Sequence, residues 1–318
     1  MISKNALNSI FYNSVKLKDT ESCLIVTDTE KQDIGKQFFD FSKIMTARSE
    51  LLIMAPNKEH GQEPPDDIAE KMLAYDVLFL ITDKSISHTK ARRQATAKGA
   101  RIASMPSVTE DIINRCCDID YEQLKLNSQK LHRILEASQK VTVKTVLGTD
   151  IEFTVGENKW FGQNGGTFDF AGAFGNLPEG EVSFAPFDCN GQYVVDVSFP
   201  GLGVLASPIV FKVKNGMVYN VSGHLSDDII ARLDNAGQKA YKVAELGIGL
   251  NPKAKVTGLI IEDEKICGTV HIALGNNLSY GQDNDVPLHL DGVVNAPDIY
   301  ADDRLIMKNG VFLIDLQF

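Results

Sequence analysis

Short apolar runs alternate with stretches of helical periodicity over the first part of the chain. The runs lack the in-and-out alternation of a half-buried strand, and such unbroken runs are typical of parallel strands covered on both faces. The predicted strands are CLIVTD (23–28), ELLIMA (50–55), DVLFLIT (76–82) and RIASM (101–105). Helical segments are predicted around them at 4–15, 30–47, 89–99 and 107–116. This order predicts a doubly wound α/β domain with a Rossmann-like sheet.

The pattern changes to a period of two after residue 140. Apolar and polar residues alternate through VTVKTVLGTDIEFTV (141–155), and many short strand-like segments with glycine turns follow. Asn215-Gly216 and Asn309-Gly310 are strong signals for tight hairpin turns. One helical stretch, 226–244, interrupts these segments. The second half is therefore predicted to be mainly antiparallel β structure with some helix.

A long helical segment, residues 120–140, separates the two patterns, with Leu124 and Leu135 on one side of it. Two domains are an ordinary number for 318 residues. We expect a Rossmann-like α/β domain over 1–140 and a β-rich domain over 141–318. The predicted fold class is α/β plus α+β.

Composition and charge indicate which partners and which cellular compartment to expect. A formal net charge of −10 argues against nucleic acid or an anionic membrane as the main partner. Five cysteines without a CxxC pair are typical of a reducing compartment. No apolar leader opens the chain, and no run approaches the about 20 apolar residues of a membrane span. We therefore expect a cytoplasmic protein that binds neither nucleic acid nor membrane.

The chain lacks the sequence motifs of two common functions of α/β domains, nucleotide binding and α/β-hydrolase activity. GxGxxG does not follow the first predicted strand and GxxxxGK[ST] is absent, which argues against nucleotide binding by the first half. GxSxG is also absent, which argues against an α/β-hydrolase.

The clearest chemical signal is the segment Leu288-His289-Leu290-Asp291. Residues two apart in a strand project to the same face, so His289 and Asp291 point together. An imidazole and a carboxylate on one face suit a divalent transition metal, although two ligands are equally typical of a hydrogen-bonded pair. His271, in the strand-like run EKICGTVHIALG (264–275), completes the composition of a site with two histidines and one carboxylate.

Two glutamates stand beside apolar sequence in the second half. Glu181 opens the strand-like run VSFAP, and Glu245 ends a helix-like stretch before the glycine-rich run LGIGLNP. A carboxylate in apolar surroundings is costly to bury unless it is paired or bound to a metal. Each glutamate is thus either a further ligand or an exposed side chain.

Segments along most of the chain resemble the thermophilic aminopeptidases, the leucyl-aminopeptidase-like metallopeptidases that include aminopeptidases T and S. In the first half the resemblance rests on EPPDDIAEKM, DVLFLITDKSISHTKARR and GARIASMP. In the second half it rests on LGTDIEF, GNLPEGEVSFAP, AELGIGLNP, DEKICGTVHIALG and HLDGVV. These motifs recur in the order of the family with similar spacing.

The resemblance implies a hydrolase that removes N-terminal residues from small peptides through water activated by two divalent metals, Zn, Co or Mn. It places the metal ligands at Glu181, Glu245, Glu264, His271, His289 and Asp291. It implies a catalytic tyrosine, for which Tyr280 is the nearest match. A cytoplasmic homodimeric metallo-aminopeptidase is the expectation that follows.

Two alternatives stay open at this point. The segment between His271 and His289, which should border the substrate, is short for an aminopeptidase. The chain also resembles a related branch, the 2,5-dihydroxypyridine dioxygenases, which hold a single Fe(II) with two histidines and an aspartate. In this chain those ligands are His271, His289 and Asp291. The other alternative is a metal-binding relative without catalytic activity.

Overall fold

The structure, a computed structural model, describes residues 1–157 and 159–318. The chain forms two compact units. The first contains Met1–Lys125 and Asn164–Glu179, and the second contains Leu126–Gln163 and Gly180–Phe318. Because neither unit is a single stretch of chain, the predicted division into domains at residue 140 stays a prediction.

The bounds of the elements are as follows, numbered in chain order. The helices are α1 Lys4–Asn8, α2 Gln32–Met45, α3 Asp66–Met72, α4 Lys90–Ala97, α5 Glu110–Cys116, α6 Tyr121–Glu136, α7 Ser226–Ala236 and α8 Ile260–Asp263, with a π-helix at Ser9–Ser14 and 3-10 helices at Gln238–Tyr241 and Leu278–Tyr280. The first ten strands are β1 Cys23–Asp28, β2 Ser49–Met54, β3 Val77–Ile81, β4 Arg101–Ser104, β5 Lys140–Lys144, β6 Asp150–Thr154, β7 Trp160–Phe161, β8 Phe174–Asn176, β9 Glu181–Phe184 and β10 Asp188–Val195. The later strands are β11 Ser198–Phe199, β12 Gly203–Val204, β13 Ile209–Lys214, β14 Met217–Gly223, β15 Val243–Gly249, β16 Val270–Gly275, β17 His289–Val294, β18 Asp298–Ala301, β19 Arg304–Lys308 and β20 Val311–Phe312.

The first unit is built on a parallel five-stranded sheet in the order β2-β1-β3-β4-β8. Every residue of β1 and β3 is buried, as their unbroken apolar runs predict. The general α/β class is therefore confirmed. The strand order is that of flavodoxin-like sheets, so the predicted Rossmann-like order is not observed.

The second unit contains two larger antiparallel sheets and the short hairpin of β11 and β12. The eight-stranded sheet has the order β14-β13-β10-β6-β5-β18-β19-β20, and the five-stranded sheet has the order β17-β16-β15-β9-β7. Both predicted Asn-Gly hairpins are confirmed. Asn215 and Gly216 turn between β13 and β14 with φ of 51° and 70°, and Asn309 and Gly310 turn between β19 and β20 with φ of 47° and 75°. Positive φ at both turn residues is what a type I′ turn requires.

The five-stranded sheet corrects one local prediction. Helical periodicity predicts one helix over 226–244 with Glu245 at its end, but the helical part stops at α7 and the 3-10 helix Gln238–Tyr241. Glu245 lies inside β15, whose residues are all buried. Tertiary burial overrides the helix propensity of its alanine, glutamate and leucine. Across residues 1–157 and 159–318, helices are all too short or too polar to traverse a lipid bilayer.

Candidate metal centre

Neighbouring strands of the five-stranded sheet bring the predicted ligands together. Directly paired residues, and residues two apart along a strand, present their side chains on the same face of a sheet. Gly247 of β15 pairs with His271 of β16, and Glu245 pairs with Ala273. Ala273 in turn pairs with Asp291 of β17. The side chains of Glu245, His271 and Asp291 therefore share one face.

Two more of the predicted ligands lie on this face. His289 lies two residues before Asp291 in β17, and Glu181 of β9 pairs with Gly249 of β15. Asp291 and Glu245 are buried, whereas the side chain of His289 is 26% exposed. His289 therefore lies on the side of the site that is open to solvent.

A glycine makes room for the central histidine. A Cβ atom on Gly247 would lie 2.1 Å from both Cε1 and Nε2 of His271, far inside van der Waals contact. The imidazole therefore lies directly over the backbone of β15. The glycine-rich run LGIGLNP indicates that two backbone segments approach closely, but it does not show which side chain lies over Gly247.

Glu245 lies between the two histidines. Its Oε1 is 3.3 Å from Nε2 of His271, and its Oε2 is 3.0 Å from Nε2 of His289. His289 Nε2 also lies 3.2 Å from Oδ1 of Asp291. Glu245 therefore contacts both imidazoles and Asp291 contacts that of His289, while among the described residues no three donor atoms within 4.8 Å of one another include both histidines.

Backbone carbonyls orient both imidazole rings. His271 Nδ1 lies 3.1 Å from the carbonyl oxygen of Glu264, and His289 Nδ1 lies 2.7 Å from that of Asn276. A carbonyl only accepts hydrogen bonds, so each Nδ1 carries the donated proton. The Nε2 atoms, which face the carboxylates, are then the ones that can bind a metal.

Charges across the site shift the proton equilibria of its members. Burial opposes ionisation of Glu245, but hydrogen bonds from His271 and His289 hold its pKa well below the ordinary value. Burial opposes protonation of His271, yet Glu245, Glu181 and Asp291 raise its pKa to about 9. The pKa of His289 is likewise raised, because Asp291 and Glu245 outweigh its burial. The site is arranged to hold positive charge.

Glu264 and Glu181 both contact the side-chain ammonium of Lys265. Lys265 Nζ lies 2.6 Å from Oε1 of Glu181 and 2.8 Å from Oε1 of Glu264. Glu264 is the C-cap residue directly after α8 rather than part of a strand, and burial raises its pKa to about 7. The structure thus brings both glutamates to the site. Lys265 is not predicted from the sequence, since a lysine after acidic residues is typical of a solvated turn.

Tyr280 borders the site from the 3-10 helix Leu278–Tyr280. Its hydroxyl lies 3.2 Å from Oγ of Ser183, and its ring packs edge-on against Phe161 with centroids 5.1 Å apart. Burial, together with the charges of Glu245 and Glu181, raises the pKa of this phenol well above its ordinary value. The predicted catalytic tyrosine is therefore beside the ligands and carries its proton.

The donor atoms fit a divalent metal. Glu181 Oε2 lies 3.3 Å from Nε2 of His271, and Asp291 Oδ1 lies 3.2 Å from Nε2 of His289. Within the described part of the chain neither buried oxygen has a partner of hydrogen-bond geometry, which is costly unless a cation or water compensates. Among residues 1–157 and 159–318 there are three sets of three residues whose donor atoms lie within 4.8 Å of one another inside each set. These sets are Glu181, Glu245 and His271; Glu245, His289 and Asp291; and Glu264, His271 and Asp291. Mixed imidazole and carboxylate donors suit Fe(II) and Zn. The assignment of individual residues as ligands stays a prediction.

One known protein family matches nearly the whole chain. The sequence pattern of NicX, 2,5-dihydroxypyridine 5,6-dioxygenase, matches residues 17–314. The chain belongs to this family. A characterised NicX-type relative, the 2,5-dihydroxypyridine 5,6-dioxygenase of Pseudomonas putida KT2440, is 21% identical over 254 residues. The aligned part covers 75% of this chain and 70% of the relative.

Two solved structures share the fold. The 2,5-dihydroxypyridine dioxygenase from Pseudomonas putida KT2440 superposes with a TM-score of 0.83 at 16% identity, covering 98% of this chain and 99% of the other. AmpT from Thermus thermophilus superposes with a TM-score of 0.70 at 14% identity, covering 98% of each chain. At these identities the likeness concerns the fold alone.

The family match corrects the predicted activity. The metallo-aminopeptidase prediction is wrong, and the hydrolase, protease and proteolysis assignments are wrong with it, because the family is one of dioxygenases. The resemblance to aminopeptidases remains as a distant relation of fold, shown by AmpT. Use of a metal is supported, whereas two ions of Zn, Co or Mn are not.

Proposed function

We propose that the chain is a mononuclear Fe(II) dioxygenase that opens the ring of 2,5-dihydroxypyridine between carbons 5 and 6. The family supports the reaction. The observation that carries the metal assignment is that adjacent strands place His271, His289 and Asp291 on one sheet face, with Glu245 in contact with both imidazoles. Two histidines and one carboxylate form the facial set of non-haem Fe(II) oxygenases, which leaves positions open for substrate and O2.

The residues of the chain hold and orient the ion in this proposal. His271 and His289 bind through Nε2, because their Nδ1 atoms donate to backbone carbonyls. Asp291 binds through Oδ1, which lies 3.2 Å from Nε2 of His289 and has no partner of hydrogen-bond geometry within the described residues. Glu245, held ionised between the two imidazoles, offers one more oxygen and keeps both rings in place. The bound iron supplies the redox chemistry with O2.

The substrate side of the site is aromatic and carries a hydrogen-bond donor. Tyr280 keeps its proton, so its hydroxyl donates a hydrogen bond to a hydroxyl oxygen of the substrate. Ser183 Oγ, 3.2 Å away, positions that hydroxyl. Phe161 packs against the edge of Tyr280 and offers an apolar surface to a flat heterocycle.

The proposal is tested by anaerobic reconstitution with Fe(II), followed by addition of 2,5-dihydroxypyridine and air. We expect loss of the ring absorbance with consumption of one O2 per substrate. Protein loaded with Zn should be inactive, because Zn has no redox chemistry. A folded, iron-loaded protein that leaves both substrate and O2 unchanged would contradict the proposal.

A further inference from the structure

Lys265 is a lysine side chain buried inside the metal site. It directly follows Glu264, and its side chain is only 1% exposed. Its ammonium lies between Oε1 of Glu181 at 2.6 Å and Oε1 of Glu264 at 2.8 Å. The mechanism proposed above does not use this group, and its burial is too deep for contact with substrate.

The buried ammonium of Lys265 offsets the negative charge of the carboxylates around it. Taking a charged group out of water costs several kcal/mol unless opposite charges and hydrogen bonds compensate. Four carboxylates crowd this site, those of Glu181, Glu245, Glu264 and Asp291. Without a cation at the position of Lys265, Glu181 and Glu264 would lose the charge that offsets their repulsion. Lys265 thus supplies locally what a metal ion would otherwise supply.

Lys265 contacts a residue in some of the candidate metal-donor sets and none in the others. Two of the three sets found in the described residues include Glu181 or Glu264, and both of these glutamates are engaged by the lysine. The remaining set, Glu245, His289 and Asp291, contains neither. His271 joins it through Glu245 and through its own closeness to Asp291.

We infer that the Lys265 ammonium occupies the place of a second metal ion and so restricts the site to one divalent cation. This inference rests on the mononuclear centre proposed above. It explains how a chain with enough carboxylates for two metals holds one. Lys265 is a positioning residue, since it acts on the metal through Glu181 and Glu264.

Metal stoichiometry tests the inference without any assay of activity. Wild type, Lys265→Met and Lys265→Arg are equilibrated with excess Mn²⁺, freed of unbound ion and analysed for metal per chain. Methionine keeps the length of the side chain but removes the charge, whereas arginine keeps the charge. We expect one ion in wild type and in Lys265→Arg, and two in Lys265→Met. Lys242→Met, which removes an ammonium near the exposed Asp283, is the surface control and should retain one.

One ion per chain in folded Lys265→Met would overturn the inference. If that variant does not fold, anomalous diffraction from Mn²⁺-soaked wild-type crystals decides the matter. One anomalous peak near His271, His289 and Asp291 supports the inference, and a peak between Glu181 and Glu264 overturns it. Failure of the proposed function is a separate result, because wild type with one ion but no ring opening contradicts the reaction and leaves the role of Lys265 standing.

Discussion

His271 reaches the centre of the site because residue 247 has no side chain. Replacing Gly247 with alanine puts a methyl group where Cε1 and Nε2 of the imidazole lie. We expect the ring to be displaced and the metal dissociation constant to rise on the order of 10–100-fold, as for the loss of a group that orients a ligand. Isothermal titration with Mn²⁺ measures the change.

The control for this variant is Gly203→Ala, also in the second unit. A methyl group on Gly203 would have no heavy atom within 4 Å beyond its chain neighbours, although the φ of 68° makes alanine mildly strained. This substitution should lower stability by about 1 kcal/mol and leave metal affinity unchanged. Equal affinities of Gly247→Ala and wild type would show that the imidazole does not depend on the glycine.

Tyr280 offers a second prediction at the scale of one residue. Tyr280→Phe keeps the ring against Phe161 but removes the hydroxyl that faces Ser183. If this hydroxyl donates to the substrate, kcat/KM should fall on the order of tenfold to a hundredfold, the usual worth of a hydrogen bond to a charged partner. Metal content should stay at the wild-type level. Steady-state kinetics beside the exposed control Tyr219→Phe measure the effect, and unchanged kinetics would remove Tyr280 from the mechanism.

The sequence reveals some of these residues and hides others for physical reasons. His289 and Asp291 are visible because strand periodicity alone puts them on one face. Gly247 and Lys265 are not visible, because their roles arise from contacts between separate strands and turns. A glycine and a lysine are too common to attract attention until the pairing of the strands is known.

At the scale of elements, β17 carries His289, the most exposed of the predicted ligands. Its side chain is 26% exposed, so its removal should leave no large buried cavity. We predict that His289→Ala removes bound metal while β1 and β3 of the first unit stay folded. Metal analysis measures the first effect, and amide hydrogen exchange of β1 and β3 measures the second. Metal content equal to wild type would refute the site.

Strand and hairpin predictions follow directly from local sequence, whereas strand order does not. The buried runs of β1 and β3 and the two Asn-Gly turns are confirmed because burial and positive φ have local signatures. The order β2-β1-β3-β4-β8 depends on which side each connection crosses, and β8 joins from a distant part of the chain. Neither the side of each crossover connection nor the pairing of β8 with β4 leaves a periodic pattern in the sequence.

At the scale of the whole molecule, one ligand set fits two different reactions. The imidazoles and carboxylates predicted here serve a peptidase or a dioxygenase equally well, since a fold and its ligands do not determine the chemistry. The family match decides for the dioxygenase. The candidate ligands alone therefore could not determine the activity, and their assignment as ligands stays a prediction. The homodimer implied by the resemblance stays a prediction.

Isotope labelling shows whether O2 or water supplies the oxygen atoms of the product. The iron-loaded protein is supplied with 2,5-dihydroxypyridine and ¹⁸O2 in ordinary water, and the product is analysed at once by mass spectrometry. A dioxygenase places both atoms of O2 in the product, so we predict a ring-opened species carrying two ¹⁸O atoms. A ring-opened product without ¹⁸O would show that water supplies the oxygen, and it would contradict the account.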